Sequence, residues 1–171
     1  MTAQTLTGER ADLLESLGTA RYFLRNTVQG LTDEQAQLRP TVSELTLGGL
    51  IKHVGEIELG WARFVVDGPA AVAPPTEQAG WEKWANDFKM LPGESLERIL
   101  QRYSEIAAET DELVRTVDLD SSHELPPAPW FQPGARRSAR RVFTHIVAET
   151  AQHAGHADII RESIDGKKSM G

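Results

Sequence analysis

The residues best able to do chemistry in this sequence gather in its C-terminal third. The stretch SARRVFTHIVAETAQHAGHADIIRESID, Ser138 to about Asp165, holds His145, His153 and His156 with Glu149 between them. A helix advances about 100° per residue, so these four side chains fall within roughly 80° of arc, one narrow polar stripe. Val142, Ile146, Val147, Thr150, Ala154, Ala157 and Ile160 supply apolar and small neighbours. A solvated face would normally carry Lys and Glu. Imidazoles and carboxylates bind divalent metals and carry protons near neutral pH.

One more histidine, His53, stands in GGLIKHVGEIELGW, beside Val54 of an apolar stripe. Alone, such a histidine reads as a hydrogen-bonded core residue. If it meets Glu149 and His153 across a bundle, the three form the two-imidazole, one-carboxylate set of a catalytic zinc site with an open fourth position. The Glu-x-x-x-His spacing suits this, because residues four apart share a helix face and converge on one ion. The same spacing also fits a plain surface pair, so spacing alone leaves both readings open. Zinc is the leading ion, although nickel, iron or manganese also suit mixed nitrogen and oxygen ligands.

The segments LTLGGLIKHV and HIVAETAQHAGHADIIRESIDG, separated by a long middle, resemble the DinB-like superfamily. Within it they are similar to an actinobacterial branch of thiol-dependent metalloenzymes. That branch includes mycothiol S-transferase-like proteins and, more distantly, mycothiol-dependent maleylpyruvate isomerase. The resemblance runs over nearly the whole chain and is most specific at ETAQHAGHADIIRESIDG. Many superfamily members have a third histidine where this chain has Glu149, and the isomerase pattern has glutamate there. Carried over by position, the resemblance implies His53, Glu149 and His153 as metal ligands. It places His156, where many relatives have glutamine, beside the site or facing substrate. It also implies mycothiol as the thiol co-substrate, an electrophilic small molecule as its partner, and a role in detoxification.

His156 and His145 are the candidate proton carriers, the latter being four residues before Glu149 and equally suited to plain packing. His123, in a Pro-rich stretch, reads as a solvated residue. Arg136, Arg137, Arg140 and Arg141 crowd the first turn of the C-terminal helix, where the dipole disfavours cations. That invites anion binding, while ion pairs to neighbouring helices are the simpler account. Trp81, Trp84, Trp130 and Phe131 can wall a pocket or cover the bundle end equally well.

The elements that must position these groups are helical. Leu13, Leu17, Ala20, Leu24 and Val28 make one stripe from about Thr7 to Gln29. A second helix, about Leu47 to Val66, turns Leu50, Val54, Ile57, Trp61 and Val65 inward. A third, about Ser95 to Val117, does so with Ile99, Leu100, Tyr103, Ile106, Thr110, Leu113 and Val117. Thr32 and Gln35 form a capping-box pattern for a short turn. Gly48, Gly49, Gly55 and Gly60 lower the helix propensity of the second helix unless something packs close to them. Asp67 to Gly80 and SSHELPPAPWFQPGARR read as long crossovers, no run is long enough for a sheet, and KKSMG reads as a frayed tail. The expected fold is all-α, a four-helix bundle with two long crossover loops in a single domain over 1–171.

Composition narrows the function. The net charge of −7 argues against nucleic acid or an anionic membrane as partner. No segment has the apolar length to span a bilayer, and no signal-peptide core is present, so cytoplasm is the expected location. With no cysteine in the chain, any thiol must come from a substrate. The expectation is a metal-dependent transferase that activates a low-molecular-weight thiol for attack on an electrophile. A metal-dependent hydrolase and a non-catalytic metal-containing binding module are the alternatives. A homodimer stands beside a monomer as an open alternative.

Overall fold

The computed structural model describes residues 6–169. Its helices are α1 (Glu9–Asn26), α2 (Asp33–Ala36), α3 (Leu47–Asp67), α4 (Gln78–Asn86), α5 (Leu96–Thr116) and α6 (Ala139–Asp165). The fold is all-α, and the four long helices are those read from the apolar spacing. Their ends follow from local capping chemistry. The hydroxyls of Thr46, Ser95 and Ser138 accept from Gly49, Arg98 and Arg141 backbone N–H groups at the starts of α3, α5 and α6. Thr32 and Gln35 close both bonds of the capping box on α2. Gly166 ends α6 at φ 77°, a left-handed position that glycine takes without strain.

α1 packs chiefly on α6 and more lightly on α5, while α3 packs on both α5 and α6. α3 therefore feeds two apolar clusters. One joins Leu24, Leu50, Val54, Tyr103 and Ile160; the other joins Leu17, Trp61, Phe64, Val114 and Phe143. Burial of these faces is the main stabilising term, since the chain has no disulfide. Between the clusters along α1 and α3 lie two buried charges, Arg21 and Glu58. Arg21 Nε and Nη2 donate to the Glu58 carboxylate at 3.2 and 2.5 Å, and Nη1 donates to Asp111 of α5 at 2.7 Å.

The crossovers hold more structure than expected. The first carries a 3-10 turn, Pro69–Val72, against α3, and is followed by α4, in the short segment around Trp81 and Trp84 whose residues already suggest a helix. The second contains a short antiparallel ribbon, β1 (Ser122–Glu124) with β2 (Arg136–Ser138), pairing His123 with Arg137. Three-residue strands show no alternation to read in a sequence. The ribbon forms because the strap must satisfy its backbone while crossing the end of the bundle. The expected frayed tail is corrected in part: Ser169 N–H donates to Asp158 at 2.7 Å, and Lys167 N–H donates to Asp165 at 3.1 Å. Met170 and Gly171 lie outside the described residues.

Candidate metal centre

α3 delivers His53 at 5% exposure, and α6 delivers Glu149 and His153 one turn apart. One ligand atom from each lies within 4.8 Å of the other two. Glu149 Oε1 is 3.5 Å from His153 Nε2. A tetrahedral ion with bonds of about 2.0–2.2 Å sets its donors roughly 3.4 Å apart, so this set fits a divalent cation with small adjustment. The His53 and His153 rings meet edge to face at 5.0 Å. Glu149, its side chain 26% exposed against 11% for His153, is the member of the three that solvent reaches most readily.

The electrostatics suit ligation. Burial, reinforced by the neighbouring His153, holds the His53 pKa down to about 4, with Glu149 opposing. Its imidazole is therefore neutral at pH 7, as a ligand must be. The hydrogen bond from His153 lowers the Glu149 pKa against the opposing cost of burial. Glu149 is thus a carboxylate at neutral pH.

Around these three, the structure adds supports that sequence reasoning missed. Phe88, just after α4, stacks on the His53 ring at 3.7 Å and 20° between planes. It fixes that ring's plane without offering a donor. The signal was present in the paired glycines before His53. A Cβ at Gly49 would lie 2.0 Å from the Phe88 carbonyl oxygen, and one at Gly48 would lie 2.1 Å from Met90 Sδ. Gly48 and Gly49 thus admit the segment that carries Phe88. Gly55 and Gly60 have only ordinary contacts. Trp84 meets Phe88 at 6.5 Å and Trp81 meets Trp84 at 5.7 Å, continuing the aromatic run toward solvent.

The remaining candidates separate clearly. His156 Nδ1 is 3.4 Å from His153 Nδ1, so it can hold the far nitrogen of that ring. His145 packs edge-on to Trp61 at 5.0 Å, and its pKa is lowered by burial and then by Arg137. His123 is not a solvated residue: it is half-buried, with Nε2 3.2 Å from the Val65 carbonyl and its ring against Phe64. In the arginine cluster, Arg140 pairs with Glu9 and Asp120, and Arg136 Nη2 donates to the Ser122 carbonyl at 2.6 Å. Arg137 pairs with no acid among the described residues and lies over the Trp61 ring at 4.6 Å. Trp81, Trp84 and Trp130 are exposed, at 42, 50 and 69%. The clefts between α3 and α5, and between α1 and α6, contain none of His53, Glu149 or His153.

A helical bundle with a histidine from one long helix and a Glu-x-x-x-His pair from another is a DinB-like fold carrying a candidate metal site. The sequence pattern of one such family, mycothiol-S-transferase, matches residues 12–166, and the chain belongs to that family. No curated protein matches the sequence. Among solved structures, a conserved protein from Enterococcus faecalis superposes with a TM-score of 0.64 at 16% identity. The match covers 95% of this chain and 100% of that one, and it speaks for the fold. Among the described residues, no helix is long and apolar enough to cross a membrane.

Proposed function

We propose that the chain is a metal-dependent thiol S-transferase, using mycothiol or a similar small thiol against an electrophilic small molecule. The observation that carries this reading is the convergence of His53, Glu149 and His153 in a chain of the mycothiol-S-transferase family. Two neutral imidazoles and one carboxylate would leave a divalent ion, with zinc the leading choice, a net charge of about +1. Such an ion, when bound, favours the thiolate form of an incoming thiol.

The protein's own groups do the rest. Phe88 and His156 hold the rings of His53 and His153, limiting their freedom to swing out of position. His156, next to His153, and His145, one turn before Glu149, are the groups of suitable type to receive the thiol proton. With no cysteine of its own, the protein cannot supply a competing internal thiolate. Aromatic side chains Trp81 and Trp84 offer a surface for the bulk of a substrate near Phe88. We read all of 1–171 as one domain serving this single centre.

The test is to load untagged protein with zinc and follow thiol consumption in the presence of a generic electrophile. The reading expects turnover that saturates with thiol and falls with metal content in His153→Ala. Thiol that only inhibits, with hydrolysis proceeding in its absence, would instead establish the hydrolase alternative. Full metal retention in His153→Ala would remove the ligand assignment.

A further inference from the structure

Arg137, like Arg136 and Arg141, pairs with no acid among the described residues, but it alone of the cluster lies over the aromatic rings near the centre. Arg140 has two carboxylates, and Arg136 is tied to Ser122 within the strap. Arg137 is clamped instead between aromatic faces, its guanidinium 4.6 Å from the Trp61 ring centre and 5.4 Å from that of Phe131. Its Nη1 is buried and has no hydrogen-bond partner among the described residues. A buried guanidinium donor without an acceptor is costly, and aromatic stacking leaves the edge of the fork unsatisfied. The residue as a whole is only half-buried, so part of its side chain meets solvent. The same Trp61 ring carries His145 on its edge at 5.0 Å, and His145 precedes Glu149 by one helical turn. Arg137, Trp61 and His145 thus form a line of contacts that ends one helical turn from the candidate ligand Glu149.

We infer that Arg137 is a carboxylate-binding subsite, and that the electrophile accepted here carries a carboxylate beside an apolar or aromatic body. The geometry favours a planar anion because the fork can receive it bidentately, and Trp61 and Phe131 fix the plane of that fork. The inference rests on the transferase reading for its reaction but not for its binding. In the reaction, the thiol sulfur forms a bond to the electrophilic carbon as that carbon's bond to its leaving group breaks. The leaving group departs with the bonding electrons, and the thiol proton passes to a base or to buffer.

The test uses zinc-loaded protein and a matched pair of probes: para-toluate and its neutral isostere para-toluamide, with binding followed by calorimetry. Wild type should bind the carboxylate about 10- to 100-fold more tightly than the amide, the range of one charged hydrogen-bonded contact. Arg137→Gln should remove that preference, and Arg137→Lys should restore part of it, with zinc content unchanged in both. If Arg137→Gln keeps the full preference, the carboxylate is binding the metal or another group, and the subsite is refuted. Equal binding of both probes by wild type refutes it too. A second arm compares turnover of para-(chloromethyl)benzoate with its amide and thiol. There Arg137→Gln should raise KM for the benzoate about ten-fold or more and leave KM for the amide alone. No thiol transfer by wild type would count against the transferase reading, while the calorimetric contrast would still decide the subsite.

Discussion

Gly49→Ala tests whether the Phe88 segment is built into the metal centre. The new methyl would sit 2.0 Å from the Phe88 carbonyl oxygen, 2.7 Å from its carbonyl carbon and 2.8 Å from Thr46 Oγ1, the N-cap of α3. Two of those atoms are backbone and cannot rotate away, so either α3 or the Phe88 segment must shift. Relieving glycine in a helix contributes about 1 kcal/mol in favour of the variant. Overpacking costs roughly 1–3 kcal/mol, and disturbing the cap costs about 1 kcal/mol more. The expected net is a loss of about 1–3 kcal/mol, or about 2–4 °C of Tm per kcal/mol at this chain length. The second effect is specific to the site: with Phe88 moved off the His53 ring, metal affinity should fall about 10-fold or more, as when a ligand's support is removed. Circular-dichroism melts and competition titration with a chelating dye measure both. Gly48→Ala should lose less, because its closest atom is the rotatable thioether of Met90. Gly60→Ala, with nothing closer than 3.8 Å, should be about 1 kcal/mol more stable than wild type. A Gly49→Ala protein as stable as wild type, with undiminished affinity, would refute the reasoning.

Three further outcomes follow from the same structure. Glu58→Ala leaves the Arg21 guanidinium, 6% exposed, with Asp111 as its remaining carboxylate, so urea unfolding should show a loss of roughly 3 kcal/mol, the low end for a broken buried pair; a change below about 1 kcal/mol would mean the pair is solvated. In metal-free protein, His53 has a folded pKa of about 4 against its ordinary 6.5, so the unfolded chain takes up the proton first as pH falls. Stability from this group is therefore complete above about pH 6.5 and lost between there and pH 4, on the order of 3 kcal/mol, and His53→Gln should flatten that part of the pH–Tm curve. Chelation should lower Tm while far-ultraviolet circular dichroism stays helical, because apolar burial holds the bundle; complete unfolding would instead show a structural ion.

Much of this arrangement was legible because helices write their inner face at a fixed period. Leu17, Ala20 and Leu24, or Leu50, Val54 and Trp61, could fall on no other side, and Ser, Thr and Gly at the ends marked the caps. The same period brought Glu149 and His153 together. It could not say that α3 and α6 would oppose each other closely enough for His53 to join them; that depends on interhelical packing. Arg21 and Glu58 occupy apolar-stripe positions, yet neither their burial nor their pairing was read from the sequence. The stacking of Phe88 on His53 was not readable because a contact made by backbone entering a glycine notch has no period. The short ribbon and the His123 contact with Val65 were illegible for a related reason, since irregular segments are shaped by what they cross.

The central claim is that an ion held by His53, Glu149 and His153 receives an external thiol. The most direct measurement is the absorption spectrum of cobalt-substituted protein during titration with mycothiol or a simpler thiol. No cysteine exists in the chain, so a sulfur-to-cobalt charge-transfer band can arise only from the added thiol. The account predicts a band that grows and saturates at one thiol per cobalt, is absent in His153→Ala, and persists in His156→Ala. Cobalt bound stoichiometrically with no band at any thiol concentration, or a band undiminished in His153→Ala, would contradict it.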